Sequence, residues 1–338
     1  MDSTEATQED YVMEITQRAI ASESIQARRC FACGGAASTG RGEHVIPKWL
    51  QAKYSLQDKK LTLLNGTLIP YRQLTVPCCD LCNNGFLSGI ERQVQAIQDI
   101  GEVTTAEETL ALGRWMAKIL VGILVKETSL LQDRKYPALG KIVPSDFIEE
   151  LHHCQLILQS ARKATMFRCL HGPHPFSLYW YKIDENAETS FDLSTNIVGQ
   201  SIAIRAGGLG VAFVNDGGLQ LNASAKGPFD LLGRTVAPHQ FSELAARVHY
   251  KSSLRDATHF YINSETPTLL TIEQHTVRPY TSTILAGGEM QVFEPWDNEA
   301  FAYLASIVTP FSPNTFHDEE TGAAMTTLGN LLPQDMVE

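Results

Sequence analysis

Two Cys-x-x-Cys pairs constrain this chain more than anything else in it. Cys30-Phe-Ala-Cys33 and Cys79-Asp-Leu-Cys82 stand 45 residues apart, and five of the seven cysteines fall within the first quarter of 338 residues. A Cys-x-x-Cys knuckle sets two thiolates on one side of a tight turn, and two knuckles complete a tetrahedron around Zn²⁺, which accepts four thiolates with no geometric demand of its own. The spacing predicts a closed, structural zinc site with Cys30, Cys33, Cys79 and Cys82 as ligands, tying together two segments that a small core could not hold. Cys78 adjoins Cys79, but only Cys79 has the two-residue spacing to Cys82, so Cys78 reads as a spare thiol. In a chain that begins with an acidic, polar segment and no secretory signal, such pairs point to metal before disulfide, and a cytoplasmic location is expected.

The rest of the chain is that of a folding protein. Hydrophobic residues make up 43% and charged residues 19%, enough for more than one buried core at this length. The longest apolar stretch, Ile119 to Val125, is interrupted by Gly122 and flanked by Lys118 and Lys126. It reads as a buried helix and not as a membrane span. Three regions are expected: residues 1–100 with the cysteine module and an N-terminal helix over 9–27, a helical region over 101–165, and an α+β C-terminal domain over 166–338 with antiparallel strands. A helix beginning near Cys82 should run through Ile90, Val94 and Ile97. Thr105 with Glu108 forms a capping box ahead of a broadly apolar helix. A further helix should follow Pro144-Ser145 and reach about Lys163. Beyond Met166, β-branched and aromatic runs (Phe176–Ile183, Ser201–Ile204, Val211–Val214, Leu219–Leu221) alternate with glycine-rich turns, as hairpins do. Residues 239–251 and 298–308 have helical texture.

The residues between and after the knuckles carry the functional reading. Glu43-His44-Val45-Ile46-Pro47-Lys48-Trp49-Leu50 begins ten residues past Cys33, and Asn83-Asn84-Gly85-Phe86 directly follows Cys82. Over about residues 28–125 this resembles the HNH, or ββα-metal, endonuclease superfamily, and within it a bacterial subgroup with a long C-terminal region. The resemblance implies a hairpin that presents His44 as general base, a helix that presents a cation ligand, and hydrolysis of DNA phosphodiester bonds with one Mg²⁺ or Mn²⁺. Histidine suits that role because its ordinary pKa, about 6.5, leaves it mostly neutral at pH 7. A hard cation calls for oxygen ligands, and Glu43 and Asn83 match those positions. Asn65, in Leu64-Asn65-Gly66, matches the family's central asparagine but also reads as a plain hairpin turn. Leu87 departs from the pattern, since many members carry a further His or Lys there.

Arg41, Lys48 and Lys53 are candidate phosphate contacts. The net charge of −11 and pI near 5.4 weigh against strong autonomous affinity for a polyanion, so a small basic patch or a regulatory or targeting protein partner is expected to supply it. The resemblance also implies a gated effector role in anti-phage defence. The rival reading is a non-catalytic zinc module that binds nucleic acid or protein, or a scaffold subunit acting through residues 166–338. His152-His153-Cys154 and Cys169-Leu-His171-Gly-Pro-His174 contain ligand types without ligand spacing and read as structural.

Overall fold

The structure is a computed structural model that describes residues 27–40, 42–144, 147, 152–184, 191–223, 231–256, 258–277 and 292–331. The helix expected over 9–27 and Arg41 lie outside the described residues. The chain is mixed α+β and divides into two compact units. Unit 1 comprises Met1–Gln95, Leu110–Arg168 and Tyr261–Glu273, and unit 2 comprises Ala96–Thr109, Cys169–Phe260 and Gln274–Glu338.

Unit 1 begins with the first knuckle, a tight turn in which Gly34 N donates to Cys30 O at 2.8 Å and Cys30 N to Gly35 O at 2.9 Å. Strand β1, Glu43–His44, then pairs antiparallel with β4, Thr75–Val76, setting Glu43 opposite Val76 and His44 opposite Thr75. Gly42 makes this pairing possible. Its φ is +76°, and a Cβ there would sit 2.4 Å from the Val76 carbonyl oxygen, so no other residue fits. Between β1 and β4 come helix α1, Lys48–Lys53, and the hairpin of β2, Lys60–Thr62, with β3, Leu68–Pro70. The second knuckle opens a helical turn, Asp80–Cys82, which passes through a π-wound stretch, Asn83–Leu87, into helix α2, Ser88–Ile100. Ile90, Val94 and Ile97 are buried along one face of α2, as their spacing predicts.

Helix α3, Ala106–Ser129, starts at the expected capping box. Glu108 Oε2 accepts from Thr105 N at 2.9 Å, and Glu108 N donates to Thr105 Oγ1 at 3.1 Å. Most of α3 is apolar all round and nearly every residue from Ala111 to Val125 is buried, so it needs neighbours on all sides. Hence residues 110–168 group with the cysteine module, where the sequence suggested a separate helical region over 101–165. Gly122 marks one close crossing, since a Cβ there would meet Val45 side-chain carbons at 2.9 Å. Helix α4, His152–Gln159, packs on this core with Cys154 fully buried.

Unit 2 is built on a five-stranded sheet in the order β10-β6-β9-β8-β7: β6, Ser177–Ile183; β7, Phe191–Asn196; β8, Ser201–Ala206; β9, Leu209–Val214; β10, Thr235–Val236. All its pairings are antiparallel except β10 with β6. The segment Leu219–Leu221, read from sequence as a strand, forms instead a short helix α5, Leu219–Ala223. The cause is Asp216, which accepts from Gly218 N at 2.9 Å and Gln220 N at 2.7 Å and so caps a helical turn where Asn-Asp-Gly-Gly alone suggests a hairpin. Helix α6, Pro238–Ser253, lays Phe241, Leu244 and Val248 on the sheet.

The α6–sheet seam also buries His249. Its ring is held by Ser201 Oγ at 2.8 Å and Ser194 Oγ at 3.0 Å, and burial lowers its pKa to about 4. The native state therefore keeps a neutral imidazole, while the unfolded chain takes up a proton near pH 6.5. This stability is present above pH 6.5 and is lost as the pH falls toward 4, by about 3 kcal/mol across the window. Unit 2 of wild type should melt progressively lower from pH 6.5 to 4, and His249→Gln should flatten that slope. An unchanged slope in the variant would remove His249 as its source.

The remaining sheet has the order β11-β12-β5: β5, Ala164–Arg168; β11, Thr258–Glu265; β12, Leu269–Val277. β12 runs parallel to β5. Helix α7, Asn298–Val308, is capped by Asp297 and packs on α6 through Phe301, Ala302 and Ala305. No helix among the described residues is long and apolar enough to cross a membrane.

Candidate metal centre and the surroundings of His44

The sulfurs of Cys30, Cys33, Cys79 and Cys82 all lie within 4.8 Å of one another. A tetrahedral ion with Zn–S bonds of about 2.3 Å separates its sulfurs by about 3.8 Å, and Cys33 Sγ and Cys79 Sγ are 3.8 Å apart. Backbone bonds hold the two knuckles in place. Phe31 N donates to Pro77 O at 2.9 Å, Ser38 N to Cys78 O at 3.0 Å, and Asp80 N to Ser38 Oγ at 3.0 Å. With no cation, thiols this close cannot share negative charge. Hydrogen bonds from its neighbours drive the Cys30 thiol far below its ordinary range, and the same contacts, with burial, push Cys33, Cys78 and Cys82 up. An ion that takes four thiolates removes that conflict, so the four sulfurs fit a structural metal such as zinc.

His44 is half-buried on β1, directly before Val45, Ile46 and Pro47, which are all buried. Its neighbour Glu43 points into the module. There Lys118 of α3, fully buried, places its Nζ 2.6 Å from Glu43 Oε1, 2.5 Å from Glu91 Oε1 and 3.0 Å from the His44 carbonyl oxygen. The ammonium has three protons and all three are used. Burial alone would lower the Lys118 pKa, but the two carboxylates outweigh it and the net shift is upward. Glu91 is held above the usual carboxylate range, chiefly by burial and further by the adjacent Glu43, against the pull of Lys118. The triad fixes β1, α2 and α3 to one point.

The other expected site residues are spread around this core. Asn83 is half-buried, its backbone carbonyl accepts from Ser88 Oγ at 2.6 Å, and it begins the π-wound stretch after the second knuckle. Asn65 sits at the β2–β3 turn. Its Oδ1 accepts from Thr67 N at 3.0 Å and its Nδ2 donates to Gln132 O at 2.8 Å, which are the contacts of a turn residue. Lys48 and Lys53 are exposed on α1. Leu87 is fully buried and lines the core. His152 and His153 diverge, one exposed and the other edge-on to the Tyr261 ring.

Lys118 and Glu91 were not among the residues singled out from sequence. The available signal was a single lysine inside the apolar run Trp115–Val125, a position where an unpaired charge would be prohibitive. It pointed to a buried acidic partner without saying which.

No family model, curated protein or solved structure matched the chain.

Proposed function

We propose that this chain is a phosphodiester hydrolase of the ββα-metal (HNH) kind, in which a structural zinc on Cys30, Cys33, Cys79 and Cys82 holds His44 in place as general base, with DNA as substrate. The observation that carries this reading is the order of elements around the metal centre. β1 bears His44 and pairs with β4, and the chain then passes through the second knuckle directly into the helical segment bearing Asn83. In that arrangement His44 takes a proton from the attacking water, and Lys48 and Lys53 face solvent where a phosphate backbone can reach them.

A divalent cation, when bound in such a site, stabilises the charge on the leaving oxygen. The oxygen donors here are a thin set for a hard cation, because Glu43 already binds the Lys118 ammonium and Asn83 offers only an amide. Glu43 therefore serves better as the residue that positions β1 than as a first-choice ligand. The same observation favours a second reading, a zinc module that binds nucleic acid or protein without cutting. Both readings leave the gated-defence role as a further proposal.

The test is cleavage of plasmid and single-stranded DNA by the zinc-loaded full chain with Mg²⁺, Mn²⁺ or EDTA. On the catalytic reading wild type cuts, EDTA stops it, and His44→Ala lowers the rate by about 10²–10⁴-fold. A folded, zinc-loaded wild type that binds DNA but never cuts would favour the second reading.

A further inference from the structure

Cys78 has no place among the four ligands, yet it is buried and its Sγ lies 3.8 Å from Cys30 Sγ. Cys33 Sγ and Cys79 Sγ are separated by the same 3.8 Å. Both contacts run from the first knuckle segment to the second, so the adjacent pair Cys78-Cys79 faces the pair Cys30 and Cys33 as two rungs of one ladder. A disulfide requires about 2.0 Å between sulfurs, so each rung closes with a movement of under about 2 Å. The backbones on either side are already hydrogen-bonded, Phe31 N to Pro77 O and Ser38 N to Cys78 O. Cys33 and Cys79 are partly exposed, whereas Cys30 and Cys78 are buried.

We infer that the fifth cysteine sets the outcome of oxidation: a hydroperoxide replaces the four-thiolate zinc with two disulfides, Cys33–Cys79 and Cys30–Cys78, and leaves Cys82 as a free thiol. The exposed rung reacts first. A Cys33 or Cys79 thiolate attacks the peroxide, the O–O bond breaks, and a sulfenic acid forms. The other sulfur of the rung then attacks the sulfenic sulfur, an S–S bond forms, the S–O bond breaks, and the oxygen leaves as water. The metal, left with Cys30 and Cys82, departs as Zn²⁺. A second peroxide repeats these steps on Cys30 and Cys78, which are no longer shielded. Four sulfurs give up four electrons, and two peroxides become four waters. Five protons are taken up, four into the waters and one by Cys82 as the metal leaves; one comes from the Cys78 thiol and four from solvent. The segments are held together throughout, first by metal and then by covalent bonds. With only four cysteines, the second bond across the two segments would be Cys30–Cys82, whose sulfurs lie within 4.8 Å; Cys78, 3.8 Å from Cys30, takes that place and leaves Cys82 over.

This inference requires the zinc site but not the nuclease reading, and its readouts are independent of cleavage. Full-length protein reconstituted with zinc is treated with hydrogen peroxide, and three things are followed: zinc release to a chromophoric chelator, alkylation of remaining thiols with peptide mapping, and thermal melting. The expected result is loss of one zinc equivalent, protection of Cys30, Cys33, Cys78 and Cys79, alkylation of Cys82, and a melting temperature above that of chelator-stripped, reduced protein. Cys78→Ser should release zinc as wild type does and shift the partner of Cys30 to Cys82, which is then protected from alkylation. Alkylatable Cys78 in oxidised, zinc-free wild type overturns the proposal. So do disulfides within a knuckle, retention of zinc under peroxide, or failure of the reduced protein to take up zinc at all. Absence of DNA cleavage has no bearing on any of these outcomes.

Discussion

Lys118→Met should destabilise unit 1 by about 3–5 kcal/mol, the usual cost of removing one partner from a buried ion pair. The methionine fills the volume of the lysine stem, so packing is largely kept. What is lost is the ammonium that neutralises Glu43 and Glu91 and that holds the His44 carbonyl. Both carboxylates are then buried without a counter-charge. Charging two adjacent buried carboxyl groups with no counter-ion is costly, and proton uptake at low pH relieves that cost. The variant should therefore be closer to wild type at pH 5 than at pH 8. Denaturant unfolding at the two pH values measures this directly. Adding Glu43→Gln and Glu91→Gln to Lys118→Met should recover part of the loss at pH 8 by removing the uncompensated charge. A Lys118→Met protein as stable as wild type at pH 8 would mean that the three groups do not form the buried triad.

This triad also shows where sequence reading succeeds and where it stops. Local chemistry was legible. The Cys-x-x-Cys spacing predicted which four sulfurs converge, and the Thr105–Glu108 box marked the start of α3. The periodicity of Ile90, Val94 and Ile97 identified the buried face of α2. The ends of α6 and α7 lay within about two residues of their expected positions, the ordinary uncertainty for helix ends. What could not be read were contacts between residues distant in sequence. Lys118 reaches Glu43 across 75 residues, and nothing in the local pattern around either names the other. Glu43 matches a cation ligand by its neighbours in a motif, and nothing local to it names the ammonium it also binds, which comes from a helix distant in sequence. The strand expected at Leu219–Leu221 was lost for a related reason. Asp216 reaches back to Ser177 N at 2.9 Å and Ser177 Oγ at 2.8 Å while capping α5, and that long-range anchoring selects the helical turn. Asn65 shows the reverse case, since its turn reading rested on the local Asn-Gly pair and its side chain bonds as a turn residue.

Cys82→Ser and Cys79→Ser should each yield protein without bound zinc in which unit 1 has lost its cooperative unfolding transition while unit 2 keeps its own. A structural zinc contributes on the order of 10–16 kcal/mol to small metal-dependent folds, comparable with the whole stability of a typical domain, about 5–15 kcal/mol. The module around the knuckles is poorly equipped to survive that loss. Its strands β1 and β4 are two residues each, and besides them the described residues between the knuckles form one short helix, one hairpin and a single 3₁₀ turn. Removing the metal also leaves neighbouring buried thiols competing for the same protons, which adds to the cost. Unit 2 contains none of the five clustered cysteines, so the melting of the His249 seam, with its dependence on pH between 6.5 and 4, reports that unit separately. Calorimetry with metal analysis distinguishes the cases. Chelation of wild type should reproduce the Cys82→Ser profile, and Cys78→Ser in the reduced state should keep both zinc and the unit 1 transition. If Cys79→Ser kept its zinc and Cys78→Ser lost it, the fourth ligand would be Cys78, and the spacing argument that selects Cys79 would fall with it.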